Sequence, residues 1–128
     1  MSTQEKVKQL ISMAVAGQFL QAIEKFYSDG ASMQENNGPP RLGLTALLEN
    51  ERRALAFMSQ LRTTAVSHVV EGDRAAINWI FEFTDPQGNR RRLDEIAYQL
   101  WRDGKIVEER FFYDPAQRTA PVTLAPRN

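Results

Sequence analysis

Four long runs of strand-forming residues, separated by three turn signals, fill the second half of the chain, and few folds accommodate them. The turns are Glu71-Gly72-Asp73, Asp85-Pro86-Gln87-Gly88-Asn89 and Arg102-Asp103-Gly104-Lys105. Each is rich in residues that adopt left-handed or pre-set turn conformations. The runs cover roughly Leu61–Glu71, Arg74–Thr84, Arg91–Trp101 and Lys105–Asp114, giving four consecutive antiparallel strands, well beyond the usual length of about 5–6 residues. Strands this long twist and coil, so the sheet must curl around something.

The N-terminal third supplies it. Ser2 with Glu5 has the form of a capping box, and Val7, Leu10, Ile11 and Ala14 recur at helical spacing as far as Gly17. Phe19, Ala22, Ile23, Phe26 and Tyr27 predict a short second helix ended by Asp29-Gly30. Ala31 to Asn36 reads as extended, Asn37-Gly38-Pro39-Pro40 as a loop, and Leu44 to about Gln60 as a third helix. Helices first and strands after, without alternation, predict an α+β fold with the helices on one face of the sheet. Residues 1–115 form a single domain on this reading, and 116–128, with Pro121 and Pro126, a loosely ordered tail.

Charge and composition exclude several classes of function. Sixteen basic and sixteen acidic residues balance, whereas a nucleic-acid or anionic-lipid binder carries a positive excess or a basic face. Without cysteine there is no disulfide frame and no thiolate nucleophile, and a single histidine restricts metal chemistry. No basic stretch leads into an apolar run at the N-terminus and no segment approaches a membrane span, so a cytoplasmic protein is expected.

Polar residues on apolar faces mark the candidate site. Glu51 falls within the stripe Leu44, Leu47, Leu48, Leu55 and Met58, where a carboxylate either meets a partner, water or cavity or bends out to solvent at the rim. A two-residue turn at Gly72-Asp73 sets His68 opposite Ile77 and Val66 opposite Trp79, on the face of Phe81 and Phe83. His68 there is either a hydrogen-bonded structural residue or a proton-transfer group. The last hairpin has two registers. A two-residue turn at Asp103-Gly104 groups Asp94, Ile96, Tyr98 and Leu100 with Glu109, Phe111 and Tyr113; a type I turn with Gly104 as a bulge groups Glu95, Ala97, Gln99 and Trp101 with them instead. The second leaves Ile96, Tyr98 and Leu100 on the convex side to bury against another subunit, which favours it and a homodimer through the sheet. No phosphate loop, nucleophile elbow or metal-ligand spacing is present. Arg90-Arg91-Arg92 reads as a solvated strand edge.

The order of elements resembles the SnoaL-like polyketide cyclase group of the nuclear-transport-factor-2-like superfamily, which includes ketosteroid isomerase and scytalone dehydratase. The resemblance rests on Phe26-Tyr27-Ser28-Asp29-Gly30, Gly43 opening helix three, Glu71-Gly72-Asp73-Arg74, Phe83-Thr84-Asp85-Pro86-Gln87-Gly88 and Asp103-Gly104-Lys105-Ile106-Val107, and spans Thr3 to Pro115. It implies a cone-shaped curved antiparallel sheet wrapped around three N-terminal helices, enclosing an apolar pocket. Counted from Tyr27, it places Glu35 where ketosteroid isomerase keeps its general base, while Leu10 or Ile11 and Ile96 or Ala97 stand where that enzyme keeps its oxyanion-hole tyrosine and aspartic acid.

The resemblance therefore implies a pocket for a small, largely apolar or amphipathic carbonyl compound, with Glu35 as base and Glu109 or Tyr113 donating to an enolate oxygen. Tyr27, Glu51, His68, Trp79, Glu95, Gln99 and Tyr113 would line it. The competing expectation for Glu35 is an ion pair with Arg41 or Arg52. A cofactor-free isomerase, dehydratase or cyclase is one reading, and a ligand-binding or dimerisation module without catalysis the other. Neither implies a metal or an organic cofactor.

Overall fold

The computed structural model describes residues 1–119. Helix α1 spans Thr3–Val15, and the Ser2 hydroxyl caps it by accepting from the Glu5 amide at 3.1 Å. Its end is a Schellman turn: Gly17, at φ +84°, and Gln18 return their amides to the carbonyls of Ala14 and Met13. Helix α2 covers Phe19–Phe26 and buries Ala22, Ile23 and Phe26. It stops three residues before the expected Asp29-Gly30, because Tyr27 is already extended and opens strand β1, Tyr27–Glu35.

A two-residue strand β2, Arg41–Leu42, pairs with β1. Gly43 at φ +94° then turns the chain into helix α3, Leu44–Phe57. That helix ends short of Gln60, which sits in a left-handed conformation (φ +51°) where β3 begins. Strands β3 (Ser59–Glu71), β4 (Arg74–Thr84), β5 (Arg90–Arg102) and β6 (Lys105–Phe112) form the expected antiparallel meander. The sheet order is β2-β1-β6-β5-β4-β3, with β1 running parallel to β6. The α+β fold is thus three helices against a curved, open six-stranded sheet.

Of the register shifts in the sheet, two alter the faces expected from the sequence. In β3 the register slips between Ala65 and Ser67, so Ala65 rather than Val66 opposes Trp79, and Val66 is left exposed. In the last hairpin Asp103 and Gly104 both take positive φ in a two-residue turn, pairing Arg102 with Lys105, and the slip comes afterwards, between Leu100 and Trp101. The expected face, Glu95, Ala97 and Gln99 with Glu109, is therefore reached through a bulge in the ladder and not through a type I turn. Leu100 is already buried within this chain, while Ile96 and Tyr98 remain exposed.

The core lies between the helices and the concave side of the sheet. Val7, Leu47, Ile77, Ala97 and Ile106 are inaccessible to solvent, and Phe26 of α2 meets Trp101 of β5 edge to face at 5.9 Å. Truncating either ring to alanine would cost about 3–5 kcal/mol. Arg90-Arg91-Arg92 pairs with β4 on one side only, because the β5–β6 ladder begins at Ile96; Arg91 holds Asp85 at 3.0 Å and so fastens the β4–β5 turn. Beyond β6, Asp114 caps a short 3-10 turn, Pro115–Arg118, pinned where the Gln117 amide pairs with the backbone N–H and C=O of Asp94 at 2.8 and 3.1 Å. The start of the expected loose tail is therefore docked on β5; residues 120–128 lie outside the described residues.

Candidate functional site

Helices α1, α2 and α3 do not fill the concave face completely. They leave a cavity of about 470 Å³ whose walls include Leu10, Ile23, Trp79, Phe81 and Phe111, so most of its surface is apolar. Four glutamates reach it from different elements: Glu35 at the end of β1, Glu51 on α3, Glu95 on β5 and Glu109 on β6.

Glu109 is held most firmly. It opposes Gln99 across the β5–β6 ladder and is 3% exposed. The Tyr27 hydroxyl donates to Oε1, and the Gln99 amide donates to Oε2 at 2.7 Å. The Trp101 indole N–H donates to Gln99 Oε1 at 3.0 Å, which fixes the amide orientation and leaves its NH₂ to face the carboxylate. Burial pushes Glu109 up to about 7, against the pull of its two hydrogen bonds, with the Glu51 charge adding to the rise. Burial, with the Glu109 charge and hydrogen bond, also raises Tyr27 well above its ordinary value, so it stays a phenol and a donor.

Glu95, 8% exposed, is bare by comparison. Among the described residues no donor reaches its carboxyl, since Asn78 donates only to its backbone carbonyl. Burial, and then the Glu109 charge, pushes it up to about 8, with Arg118 acting the other way. Near neutral pH Glu95 therefore carries its proton while Glu109 is poised to exchange one. Glu51 faces the cavity, the inward alternative of the two expected, and burial brings it to about 6.

Glu35 sits in a different environment. In-register pairing with Phe111 brings it close to Tyr113, whose hydroxyl donates to Oε1 at 2.8 Å. Arg118 reaches the same oxygen at 2.6 Å and Arg41 reaches Oε2 at 3.3 Å. Burial pushes Glu35 up, but Tyr113 and the two guanidiniums outweigh it and leave the carboxyl below its ordinary value. The ion pair expected with Arg41 is present, Arg118 adds a second, and Arg52 takes no part.

Of the residues singled out in the sequence, Tyr27, Glu35, Glu51, Trp79, Glu95, Glu109 and Tyr113 line the cavity. Gln99 lies behind Glu109 and acts through it. His68 is not brought to the cavity: its ring faces α1, with Nε2 3.5 Å from the Gln4 amide. The sequence reasoning passed over Arg53 and Arg118, and it placed Trp101 on the Glu109 face without foreseeing its bond to Gln99. The Asp114-Pro115 cap was a signal for Arg118, because it announces an ordered turn where a loose tail was expected. Among the described residues no group of three or more His, Cys, Asp or Glu side chains could hold a metal ion, and no helix is long and apolar enough to cross a membrane.

A SnoaL-like domain model matches residues 7–109, most of the chain and all four glutamates. A protein assigned to the SnoaL-like polyketide cyclases, from Mesorhizobium loti, is 26% identical and superposes with a TM-score of 0.74 over 88% of this chain and 100% of its own. Another so assigned, from Jannaschia sp. CCS1, is 15% identical with a TM-score of 0.81, covering 95% and 92%. TerC, crystallised with polyporic acid, is 17% identical with a TM-score of 0.74, covering 88% and 91%. No curated protein matches the sequence.

Proposed function

The chain belongs to the SnoaL-like domain family, and from that premise we propose that its cavity binds a small, largely apolar carbonyl compound and moves protons on it. The observation that carries this reading is Glu109: a carboxyl on an apolar cavity wall, raised toward neutrality by burial and oriented by Tyr27 and Gln99. A general base works best when its proton affinity lies near the working pH, and desolvation supplies that tuning. In the proposed step Glu109 takes a proton from the carbon beside the carbonyl. The enolate oxygen receives a proton or hydrogen bond from Glu95, which burial keeps protonated. Returning the proton from Glu109 to another carbon gives isomerisation, giving it to a departing β-hydroxyl that leaves as water gives dehydration, and giving it to the alkoxide formed when the enolate attacks a second carbonyl gives cyclisation.

Glu35 is less suited to the role that its position in the sequence implies. Two guanidiniums and a phenol stabilise its charged form and lower its affinity for a proton. It serves better as the anchor that organises Arg41, Arg118 and Tyr113 at the opening.

Proton abstraction can be tested without the natural substrate, because a base beside a ketone exchanges α-hydrogens for solvent deuterium. With the bicyclic ketone 2-tetralone in D₂O, followed by proton NMR, the wild type accelerates exchange over buffer and Glu109→Gln loses about a hundredfold or more of that rate. A ketone that binds without accelerated exchange, or exchange indifferent to Glu109→Gln, moves the protein to the class of binding modules.

The same proposal includes a second copy of the chain. Ile96 and Phe112 oppose one another on the outer face beside Tyr98, and the three are 40%, 41% and 42% exposed. Arg110 stacks over Phe112 at 4.5 Å and Arg74 over Tyr98 at 5.4 Å, and an apolar patch of this kind, edged by guanidiniums, supports pairing through the sheet.

A further inference from the structure

Charge is distributed unevenly along the cavity. Its enclosed wall holds Glu95 and Glu109, both buried. Its opening is framed by three arginines that line the cavity and also reach solvent: Arg41 and Arg118, with side chains 40% and 55% exposed, and Arg53, also exposed. Opposed to these three positive charges are the carboxylate of Glu35, which Arg41 and Arg118 pair, and that of half-buried Glu51, which no described arginine pairs. Arg41 and Arg118 each commit one terminal nitrogen to Glu35, Nη1 and Nη2 respectively, and a guanidinium has five N–H donors. Arg53 makes no ion pair with any described residue. Arg118 is further oriented by stacking over the Tyr113 ring at 5.1 Å, and its turn is pinned to β5 by Gln117.

A cationic rim around a pocket with apolar, acid-bearing walls is complementary to an amphipathic anion in one orientation only. A carboxylate or other anion placed among the glutamates would be repelled and desolvated. At the rim it would find donors arranged for bidentate, charge-assisted contacts. We infer that the ligand of this cavity carries an anionic group, held at the opening by Arg53 and Arg118 with help from Arg41, while its apolar carbonyl-bearing body lies inward against Glu95 and Glu109. The inference rests on the acid–base reading of the pocket and adds a substrate class to it: the acid and not its ester or amide. The rim then acts as a ruler, since anchoring one end of the ligand fixes which carbon reaches Glu109.

The test uses two dyes with the same apolar body, anilinonaphthalene sulfonate and its uncharged counterpart N-phenylnaphthylamine, both fluorescent on entering an apolar cavity. Titrations are run on the wild type, Arg53→Gln and Arg118→Gln at low and high salt, after thermal melts of each. The sulfonate is expected to bind the wild type about tenfold or more tighter than the amine and to be displaced by it. Each substitution, or added salt, should weaken the sulfonate severalfold and leave the amine within twofold. Equal affinities in the wild type, a sulfonate affinity unchanged in both variants, or failure of the amine to displace the sulfonate would each overturn the inference while leaving the apolar pocket standing. If neither dye enters, the pocket reading itself fails, and the inference with it.

Discussion

Replacing Glu95 with glutamine should flatten the dependence of folding stability on pH. In the folded chain Glu95 holds its proton up to about pH 8, against 4.5 for an ordinary glutamate. The unfolded chain therefore releases this proton first, and between about pH 4.5 and 8 the folded state binds more protons than the unfolded one. The stabilisation is complete below 4.5 and is lost progressively as pH rises through the folded value. At about 1.4 kcal/mol per tenfold change in proton affinity, the full interval corresponds to about 5 kcal/mol. Part of the rise comes from the Glu109 charge and is shared with that residue, so about 3–5 kcal/mol should disappear from the wild-type slope in Glu95→Gln. Glutamine matches the protonated acid in shape and charge. The two proteins should therefore be similar at pH 5 and diverge by pH 9, with the variant the more stable. Urea unfolding at pH 5, 7 and 9 measures this, and parallel curves for the two proteins would refute the assignment of Glu95 as a buried, proton-bearing acid.

Further outcomes follow from the same geometry. Tyr27→Phe removes a donor that lowers the proton affinity of Glu109, so Glu109 should titrate higher still, and the loss of this buried bond should cost about 1–3 kcal/mol; carbon-13 NMR of labelled glutamate side chains and urea unfolding measure the two effects. Gly104→Ala forces an alanine to φ +78° in the β5–β6 turn and should destabilise the fold by about 1 kcal/mol in a thermal melt. The proposed pairing through the outer face predicts a dimer in sedimentation velocity, and Tyr98→Lys with Ile96→Lys, which places charge on that face, should leave a monomer without altering the fold.

Much of this arrangement was legible in the sequence because local chemistry encodes it. The capping box at Ser2 and Glu5, the turns at Gly72-Asp73 and Asp103-Gly104, and the alternation from Arg74 to Thr84 each act over a few residues, and α1 and the four long strands appear where they point. Bulges are less visible. Val66 gives no sign that it will be squeezed out of the β3 ladder, and the slip between Leu100 and Trp101 falls between Ile106 and Glu108, where the β1–β6 pairing also shifts. The parallel pairing of β1 with β6 joins residues about eighty positions apart and leaves no periodic trace. Glu109 could be picked out from its strand face with Phe111 and Tyr113, and Glu35 from the family resemblance counted from Tyr27. Their partners could not be chosen: Tyr27 lies 82 residues from Glu109 and Arg118 lies 83 from Glu35. Those partners lower both proton affinities, but at Glu109 burial outweighs them whereas at Glu35 they outweigh burial, so the choice of base depends on long-range contacts. His68 misled because facing the sheet's inner side and facing the cavity are different conditions, and α1 covers the sheet where His68 lies.

The pH profile of α-hydrogen exchange on 2-tetralone tests the central claim most directly, because it asks which carboxyl takes the proton. If Glu109 is the base and Glu95 the acid, the wild-type rate climbs as Glu109 ionises near pH 7 and declines as Glu95 loses its proton above about pH 8. A rate that has already reached its plateau at pH 5 would contradict this account and return the role of base to a carboxylate ionised in acid, such as Glu35.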